Sequence, residues 1–218
     1  MRALALGLTL LLPGSAARAC EVALVLAIDV SGSIDAGEYR IQSGGTADAL
    51  QDPAVAEALL EGQVALSLLH WSGTGQQAVV LPWTQMHSPA DITRATAHIR
   101  SAPRAFAGSD TAVGQAIDAA LALFATAPDC SRRIIDISGD GPENSGNTVR
   151  AARSRAAAAG VAINAIAIED VGQSTAITRF YQNWVITKGG FVISSRGLAA
   201  YPQAIRAKLL RELEKPAS

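Results

Sequence analysis

Residues 21–33 read EVALVLAIDVSGS. Apart from Glu21, the first eight are apolar, and a continuous apolar run of that length is typical of a strand buried on both faces of a parallel sheet. The run ends at Asp29, and Ser31 and Ser33 follow it at alternate positions. One carboxylate and two hydroxyls therefore leave the carboxyl end of the strand together, where open α/β sheets place their ligand sites. Taken alone, the motif also fits a strand-to-helix turn in which Ser31 or Ser33 caps the next helix.

Apolar runs of strand length alternate with helical periodicity along the rest of the chain. This alternation predicts a Rossmann-like α/β fold with three αβα layers, in which helices cover both faces of a mostly parallel, six-stranded sheet. The predicted strands are residues 21–28, 64–70, 77–82, 133–138, 161–168 and 190–194. The predicted helices are residues 36–51, 89–100, 111–125, 146–159, 174–187 and 198–213.

Glycines and loop lengths add three local predictions. The loop at residues 72–75 is too short for a parallel crossover, so the strands beside it should form an antiparallel hairpin. Gly160 follows an alanine-rich helix and predicts a left-handed C-cap. Gly44 and Gly45 interrupt the first predicted helix, which either packs closely on the sheet at that point or breaks there.

The two ends of the chain carry separate signals. Residues 1–19 combine Arg2, a short apolar run and the sequence Ala17-Arg18-Ala19, which is the pattern of a cleavable secretory signal peptide. A membrane anchor would need roughly 20 apolar residues, more than this run provides. We therefore expect export to the periplasm or beyond, one domain at residues 20–213 and a flexible tail at residues 214–218.

The charge balance narrows the range of partners. Of the 18 Lys and Arg residues, Arg2 and Arg18 precede Cys20, which leaves 16 basic against 19 acidic side chains in the exported chain. That small negative excess offers no electrostatic basis for binding nucleic acid or an anionic membrane. Arg18 also disfavours lipid modification of Cys20, because lipoprotein signals have small residues there. We expect a monomer with no membrane span after cleavage.

Two further loops carry oxygen-bearing side chains: Gly108-Ser109-Asp110-Thr111 before a predicted helix, and Ser138-Gly139-Asp140-Gly141 after an apolar strand. Together with Asp29-Val30-Ser31-Gly32-Ser33, they resemble the metal-ion-dependent adhesion site of the von Willebrand factor A family. Carried over position by position, the metal-site residues are Asp29, Ser31, Ser33, Thr111 and Asp140. The resemblance covers the whole predicted domain in element order and implies a von Willebrand factor A fold with strands ordered 3-2-1-4-5-6. The sequence also looks like an uncharacterised bacterial group of secreted A-type domains, on the basis of residues 135–141, Trp71, Trp83 and Asn164.

The ligand types indicate which metal the site would hold. Hydroxyl and carboxylate oxygens suit a hard divalent cation, so Mg²⁺ is expected, with Mn²⁺ or Ca²⁺ as alternatives. Three hydroxyls and two carboxylates would leave the ion electrophilic enough to take a carboxylate from a partner, which is how this family commonly binds. The resemblance therefore implies a metal-dependent binding or adhesion module for a protein or peptide partner, and not an enzyme.

Four side chains are expected on the rim of this site, where they would contact the partner: Asp110, Glu143, Asn144 and Glu169. The alternative is that they are acids and amides near helix starts, where they favour the helix dipole. Asp110 departs from the family pattern, which often has a small residue before the threonine.

The two cysteines, Cys20 and Cys130, each precede a strand that the family order places side by side and parallel. The resemblance thus implies a disulfide at the amino edge of the sheet, opposite the metal site. Such a bond suits an oxidising compartment. Two free thiols are the alternative, which export disfavours.

An enzyme and a structural module are the alternative functions. A phosphatase of the haloacid dehalogenase type would use Asp29 as its nucleophile, but it needs D-x-D and a nearby lysine. Position 31 is serine, and only Lys188 lies near a predicted strand. The chain also lacks the G-x-S-x-G turn of a serine hydrolase and a glycine-rich phosphate loop after a strand, and no pairing pattern links His70, His87 and His98. The other alternative is a structural or assembly module whose site is vacant. Such a module would not require ligand side chains at the five positions, so their presence favours a metal site.

Overall fold

The computed structural model describes residues 20–108, 110–170 and 175–214. Its strands are β1 (Cys20–Asp29), β2 (Ala65–Trp71), β3 (Gln77–Gln85), β4 (Cys130–Gly139), β5 (Ala162–Glu169) and β6 (Val192–Arg196). Its helices are α1 (Ala36–Gln51), α2 (Pro53–Glu61), α3 (Pro89–Ser101), α4 (Val113–Leu123), α5 (Val149–Ala158), α6 (Ala176–Phe180) and α7 (Tyr201–Leu213). The predicted signal peptide at residues 1–19 and residues 215–218 of the predicted tail lie outside the described residues.

All six strands form one sheet in the order β3-β2-β1-β4-β5-β6. β3 runs antiparallel to β2, and every other pair of neighbours is parallel. The predicted architecture and strand order are therefore confirmed. β1 lies in the middle of the sheet, so the loop that follows it is flanked by the loops that follow β2 and β4.

The core has two halves, one on each face of the sheet. Leu24 and Leu26 of β1 belong to the half that contains buried residues of α1, α2, α3 and α7. Val25 and Ala27 belong to the half that contains buried residues of α4 and α5. Because successive side chains of a strand point to opposite faces, a strand covered on both faces needs apolar residues at every position. This burial explains the continuous apolar run of β1.

The start of α1 leaves the serines of the first loop free for another role. Asp35 is the N-cap, and its Oδ1 accepts hydrogen bonds from the backbone amides of Gly37 at 2.6 Å and Glu38 at 2.8 Å. The Glu38 carboxylate accepts from the Asp35 amide at 2.8 Å, which completes a capping box. The alternative in which Ser31 or Ser33 caps this helix is therefore wrong.

The glycine pair in α1 does not break the helix. A Cβ at position 45 would lie 2.9 Å from Pro202 Cγ, whereas a Cβ at position 44 would meet only Arg100 Nη1, at 3.9 Å. Gly45 therefore lets α1 pack closely on α7, and the expected close packing on the sheet is corrected to packing on a helix. The C-cap prediction is confirmed, since Gly160 has a φ of +69°.

One helix was not predicted, and two predicted helices differ from the structure in their bounds. α2 was not predicted, although Asp52 followed by Pro53 is a helix-start signal, and Asp52 accepts from the Ala54 amide at 3.1 Å. The predicted helix at residues 146–159 begins only at Val149, because Gly146 and Asn147 have positive φ values of +89° and +49°. The predicted helix at residues 174–187 is the short α6, followed by a π turn at Tyr181–Val185.

No helix within the described ranges combines the length and the apolar character that crossing a membrane requires.

Candidate metal centre

The loop after β1 brings the first carboxylate and the two serines together. Asp29 is fully buried, and its Oδ1 accepts a hydrogen bond from the Ser31 amide at 2.8 Å. The hydroxyl oxygens of Ser31 and Ser33 are 3.4 Å apart. This tight turn therefore points one carboxylate and two hydroxyls into the same small volume at the carboxyl edge of the sheet.

The loop after β4 supplies the second carboxylate. Asp140 directly follows Gly139, and β4 neighbours β1 in parallel. The Ser33 hydroxyl donates to Asp140 Oδ1 at 2.9 Å, which joins the two loops. Four of the five predicted ligands are thus brought together, as Asp29, Ser31, Ser33 and Asp140.

Thr111 reaches the same edge by a different route. The backbone amide of the next residue, Ala112, donates at 3.0 Å to the carbonyl of Ser72, which directly follows β2, the other neighbour of β1. Thr111 is 5% exposed. Thr111 is therefore a buried residue of the loop that precedes α4 at this edge.

Burial raises the pKa values of the two carboxyls in this centre. Desolvation, and secondarily the negative charge of Asp140, raise the pKa of Asp29 to about 7. Desolvation also raises the pKa of Asp140. Asp29 Oδ2 is buried without a hydrogen-bond partner among the described residues. A buried carboxylate oxygen with no partner is costly, and a cation would compensate that cost.

The residues present fit a hard divalent cation. Two carboxylates and three hydroxyls form an all-oxygen donor set, which Mg²⁺, Mn²⁺ and Ca²⁺ prefer. The described residues contain no group of three or more His, Cys, Asp or Glu side chains that could hold a metal. Metal binding at this edge would therefore depend on the serine and threonine hydroxyls.

Two aromatic side chains close the inner side of the centre. A Cβ at position 139 would overlap the Tyr181 hydroxyl and would lie 3.0 Å from Asp29 Oδ2 and 3.3 Å from Trp71 Cζ2. Both aromatic residues are fully buried. Only glycine fits at position 139 without displacing these groups, which explains the Gly139-Asp140 sequence.

Arg104 holds the first loop in place, although no sequence pattern predicted this role. Its Nη2 donates to the carbonyl of Val30 at 2.9 Å and to that of Ser31 at 2.8 Å, and its Nε donates to Val30 at 3.1 Å. Arg104 lies on the long connection between α3 and α4, in no motif. The sequence carried no signal for it, since its partners are backbone carbonyls distant in the chain.

Three of the four expected rim residues hold backbone amides. Glu143 accepts from the amides of Gly114 at 2.9 Å and Val149 at 3.1 Å, at the starts of α4 and α5. Asn144 Oδ1 accepts from the Thr111 amide at 2.8 Å and so positions a predicted ligand.

Glu169 has the same kind of contact, because it accepts from the Thr178 amide at 2.6 Å in the first turn of α6. Asp110 is exposed. These contacts correspond to the helix-start alternative for Glu143 and Glu169, and a role of the four residues in partner contacts stays a prediction.

The cysteines lie at the opposite edge of the sheet. Cys20 and Cys130 face each other in the first register pair of β1 and β4, and they form a disulfide. The bond joins the amino ends of the two strands whose carboxyl ends carry Asp29 and Asp140.

The fold is that of von Willebrand factor A domains. Similar solved structures include proximal thread matrix protein 1 from the mussel byssus, with 16% identity and a TM-score of 0.66 over 88% of this chain and 48% of that chain. A further structure of the mussel protein has a zinc-occupied metal-ion-dependent adhesion site (MIDAS) motif. The chain spans about half the length of the mussel protein.

Two bacterial structures have the same fold. The von Willebrand factor type A protein from Catenulispora acidiphila is 17% identical, with a TM-score of 0.64 over 90% of this chain and 43% of that chain. The vWF domain of the type V pili tip protein Mfa5 from Porphyromonas gingivalis is 9% identical, with a TM-score of 0.64 over 92% of this chain and 98% of that chain.

The sequence itself defines a narrower group. Residues 19–217 match the model of the family described as "Protein of unknown function (DUF1194)", and the chain belongs to that family. No curated protein matches the chain in sequence.

Proposed function

We propose that this protein is an exported binding module that engages an acidic group of a protein or peptide partner through a divalent cation. Asp29, Ser31, Ser33, Thr111 and Asp140 would hold the cation, with Mg²⁺ as the expected ion. The proposal includes a cleaved leader at residues 1–19 and a binding domain at residues 20–213.

The observation that carries the proposal is the buried, unpartnered Oδ2 of Asp29 beside the linked Ser33 and Asp140. Folding raises the pKa of the Asp29 carboxyl to about 7, and only its Oδ1 receives a hydrogen bond from the described residues. The uncompensated carboxylate destabilises the metal-free protein, and a bound cation would remove that destabilisation. A bound cation would act as a Lewis acid toward a carboxylate, while the protein's hydroxyls leave part of its charge uncompensated.

The protein's own groups would determine how the cation is held. Arg104 fixes the backbone of the first loop, and Asn144 fixes the Thr111 amide. Ligand side chains supported in this way are already close to their binding positions, which reduces the entropy lost on binding. The partner would approach from the carboxyl edge, where Ser33 is exposed.

The positions of the lysines support binding over a phosphatase-like activity of Asp29. Lys188 lies beside Gly160 and Ala162, at the amino end of β5 and thus at the opposite edge. Lys208 pairs with Asp136 inside the core. Neither of these described lysines is close enough to steady a phosphate at Asp29.

The first test is a calorimetric titration of Mg²⁺ and Mn²⁺ into chelator-treated protein and into an Asp29→Ala variant of unchanged circular dichroism. Asp129→Ala is the matched control, because Asp129 is exposed and lies next to Cys130 at the opposite edge. We expect binding to the parent protein and the control, and none to Asp29→Ala. No binding of either ion to the parent protein at millimolar concentration would contradict the metal site.

A second titration tests the partner chemistry. With Mg²⁺ present, a glutamate-rich peptide should bind and its glutamine counterpart should not. Binding of the acidic peptide that persists in chelator would contradict recognition through the cation.

A further inference from the structure

A cluster of charged side chains is buried between β4 and α7. Lys208 is fully buried, and its Nζ lies 2.5 Å from Asp136 Oδ1 and 2.6 Å from Glu212 Oε1. Asp136 and Glu212 are each 2% exposed. Asn164 Nδ2 donates to Glu212 Oε1 at 2.9 Å. This cluster has no part in the proposed metal centre.

Burial favours the neutral form of one carboxyl in this cluster. Two carboxylates and one ammonium would leave a net negative charge in a dry interior, which is strongly disfavoured. Burial, and secondarily the charge of Glu212, raise the pKa of Asp136 to about 7. Neither Asp136 oxygen accepts a well-formed hydrogen bond from the described residues, whereas Glu212 Oε1 accepts from both Lys208 and Asn164. Burial therefore favours the neutral form of Asp136, while Lys208 also contacts Glu212.

We propose that Lys208 and Asp136 condense into an intramolecular isopeptide bond, with Glu212 as the group that accepts and returns protons. A lysine is an effective nucleophile only as the neutral amine, and a carboxylic acid loses its oxygen more readily than a carboxylate does. The short contacts bring nucleophile, acid and proton carrier together without solvent between them. The inference does not depend on metal binding.

The step balances without any co-reactant. The Lys208 ammonium first gives one proton to the Glu212 carboxylate and becomes an amine. The amine nitrogen then forms a bond to Asp136 Cγ, while a Cγ–O bond breaks. The nitrogen loses a second proton, and the leaving hydroxyl takes up a proton through Glu212 and departs as water. The products are a neutral amide, one water molecule and a neutral Glu212 carboxylic acid.

Removal of buried charge favours this reaction. Before condensation the core holds an ammonium and a carboxylate, and afterwards it holds no charge in this cluster. Phe191 covers the cluster, with its ring centre 5.6 Å from Lys208 Nζ. The bond would tie α7 covalently to the centre of the sheet.

Intact mass spectrometry of the denatured, disulfide-reduced protein tests the proposal. We expect a mass lower than that of the unlinked chain by one water molecule. Trypsin should then release a branched peptide in which residues 134–150 are joined to residues 207–211. Glu212→Gln and Asp136→Ala should both have the full mass, while Lys188→Arg, a change at an exposed lysine, should still lose water.

Two results would overturn the isopeptide bond. One is the full, unlinked mass in the parent protein, which requires no variant to fold. The other is a water loss confined to residues 134–150 alone, which indicates cyclisation at Asp140-Gly141. Complete linkage in a folded Glu212→Gln variant would overturn the assignment of Glu212 as proton carrier.

Discussion

The Ser33 hydroxyl donates a 2.9 Å hydrogen bond to Asp140 Oδ1, across 107 positions of the chain. This contact joins the loop after β1 to the loop after β4, and it orients two of the proposed ligands.

Replacing Ser33 with alanine removes one proposed ligand and the hydrogen bond that orients another. We expect Ser33→Ala to weaken Mg²⁺ binding roughly 10-fold or more, the size of effect seen when supporting groups of metal sites are lost. Calorimetric titration measures the change. Ser154→Ala is the control, because Ser154 is exposed and its hydroxyl donates to the Arg150 carbonyl within α5. Equal affinities for the two variants would contradict the assignment of Ser33.

Metal binding should depend on pH through Asp29. The pKa of Asp29 is raised to about 7, chiefly by desolvation, so the metal-free carboxyl is protonated below that pH. A cation must displace this proton, and affinity should therefore fall as pH falls through 7 and level off above it. Below pH 7 the decrease should be roughly tenfold per unit. Titrations in buffers of different ionisation enthalpy should show protons released at pH 6 and none at pH 8.5. An affinity that is constant from pH 5.5 to 8.5 would contradict this coupling.

Arg104 should act on the first loop without contacting the metal. In Arg104→Met the carbonyls of Val30 and Ser31 lose their charged donor, at a cost of about 2 kcal/mol. We expect faster amide hydrogen exchange at residues 30–34 and weaker Mg²⁺ binding. Arg94→Met is the control, because Arg94 is exposed and its ion pair is with Asp91 of its own helix. If amide hydrogen exchange at residues 30–34 is unchanged in Arg104→Met, the loop does not depend on Arg104 for its stability.

Alanine at position 139 should damage both stability and binding. Its Cβ would overlap the Tyr181 hydroxyl and crowd Asp29 Oδ2, which we expect to cost about 1–3 kcal/mol. Gly141→Ala is the matched control, since nothing lies within 4 Å of a Cβ there. Urea unfolding measures both variants. Adding Tyr181→Phe to Gly139→Ala should restore part of the loss, because it removes the overlapping oxygen. A Gly139→Ala protein as stable as Gly141→Ala would contradict the packing argument.

The two adjacent glycines of α1 should respond to alanine in opposite directions. Gly44→Ala should stabilise the protein by up to about 1 kcal/mol, because alanine favours a helix and the site has room. Gly45→Ala should destabilise it, since its Cβ would press on Pro202. Thermal unfolding compares the two directly. Stabilisation by both substitutions would mean that α1 and α7 are not tightly packed at this point.

Part of the site could be predicted because its residues are local in sequence. Asp29, Ser31 and Ser33 follow one apolar strand, and Gly139-Asp140 follows another. Parallel strands bring their carboxyl ends to one edge, so a predicted topology already brings these motifs together. Thr111 was predicted from the resemblance alone, and the structure places it at the same edge.

Other features carried no local signal. Arg104 acts on backbone carbonyls, which are the same at every residue, so no sequence pattern marks its partners. Lys208 lies within a predicted helix, yet its side chain is in the core, where it contacts Asp136 and Glu212. The predicted start of α5 was too early, because the positive φ values of Gly146 and Asn147 are not helical.

The sequence by itself determined the alternation of strands and helices, because apolar periodicity and loop length act locally. Its motifs resemble those of a family whose strand order brings Asp29, Ser33 and Asp140 to one edge. Only the tertiary structure decided which polar groups are left unpartnered in the interior. The carboxyls of Asp29 and Asp136 have raised pKa values because distant segments of the chain bury them. Desolvation depends on everything that surrounds a group in space, and no stretch of sequence contains that information.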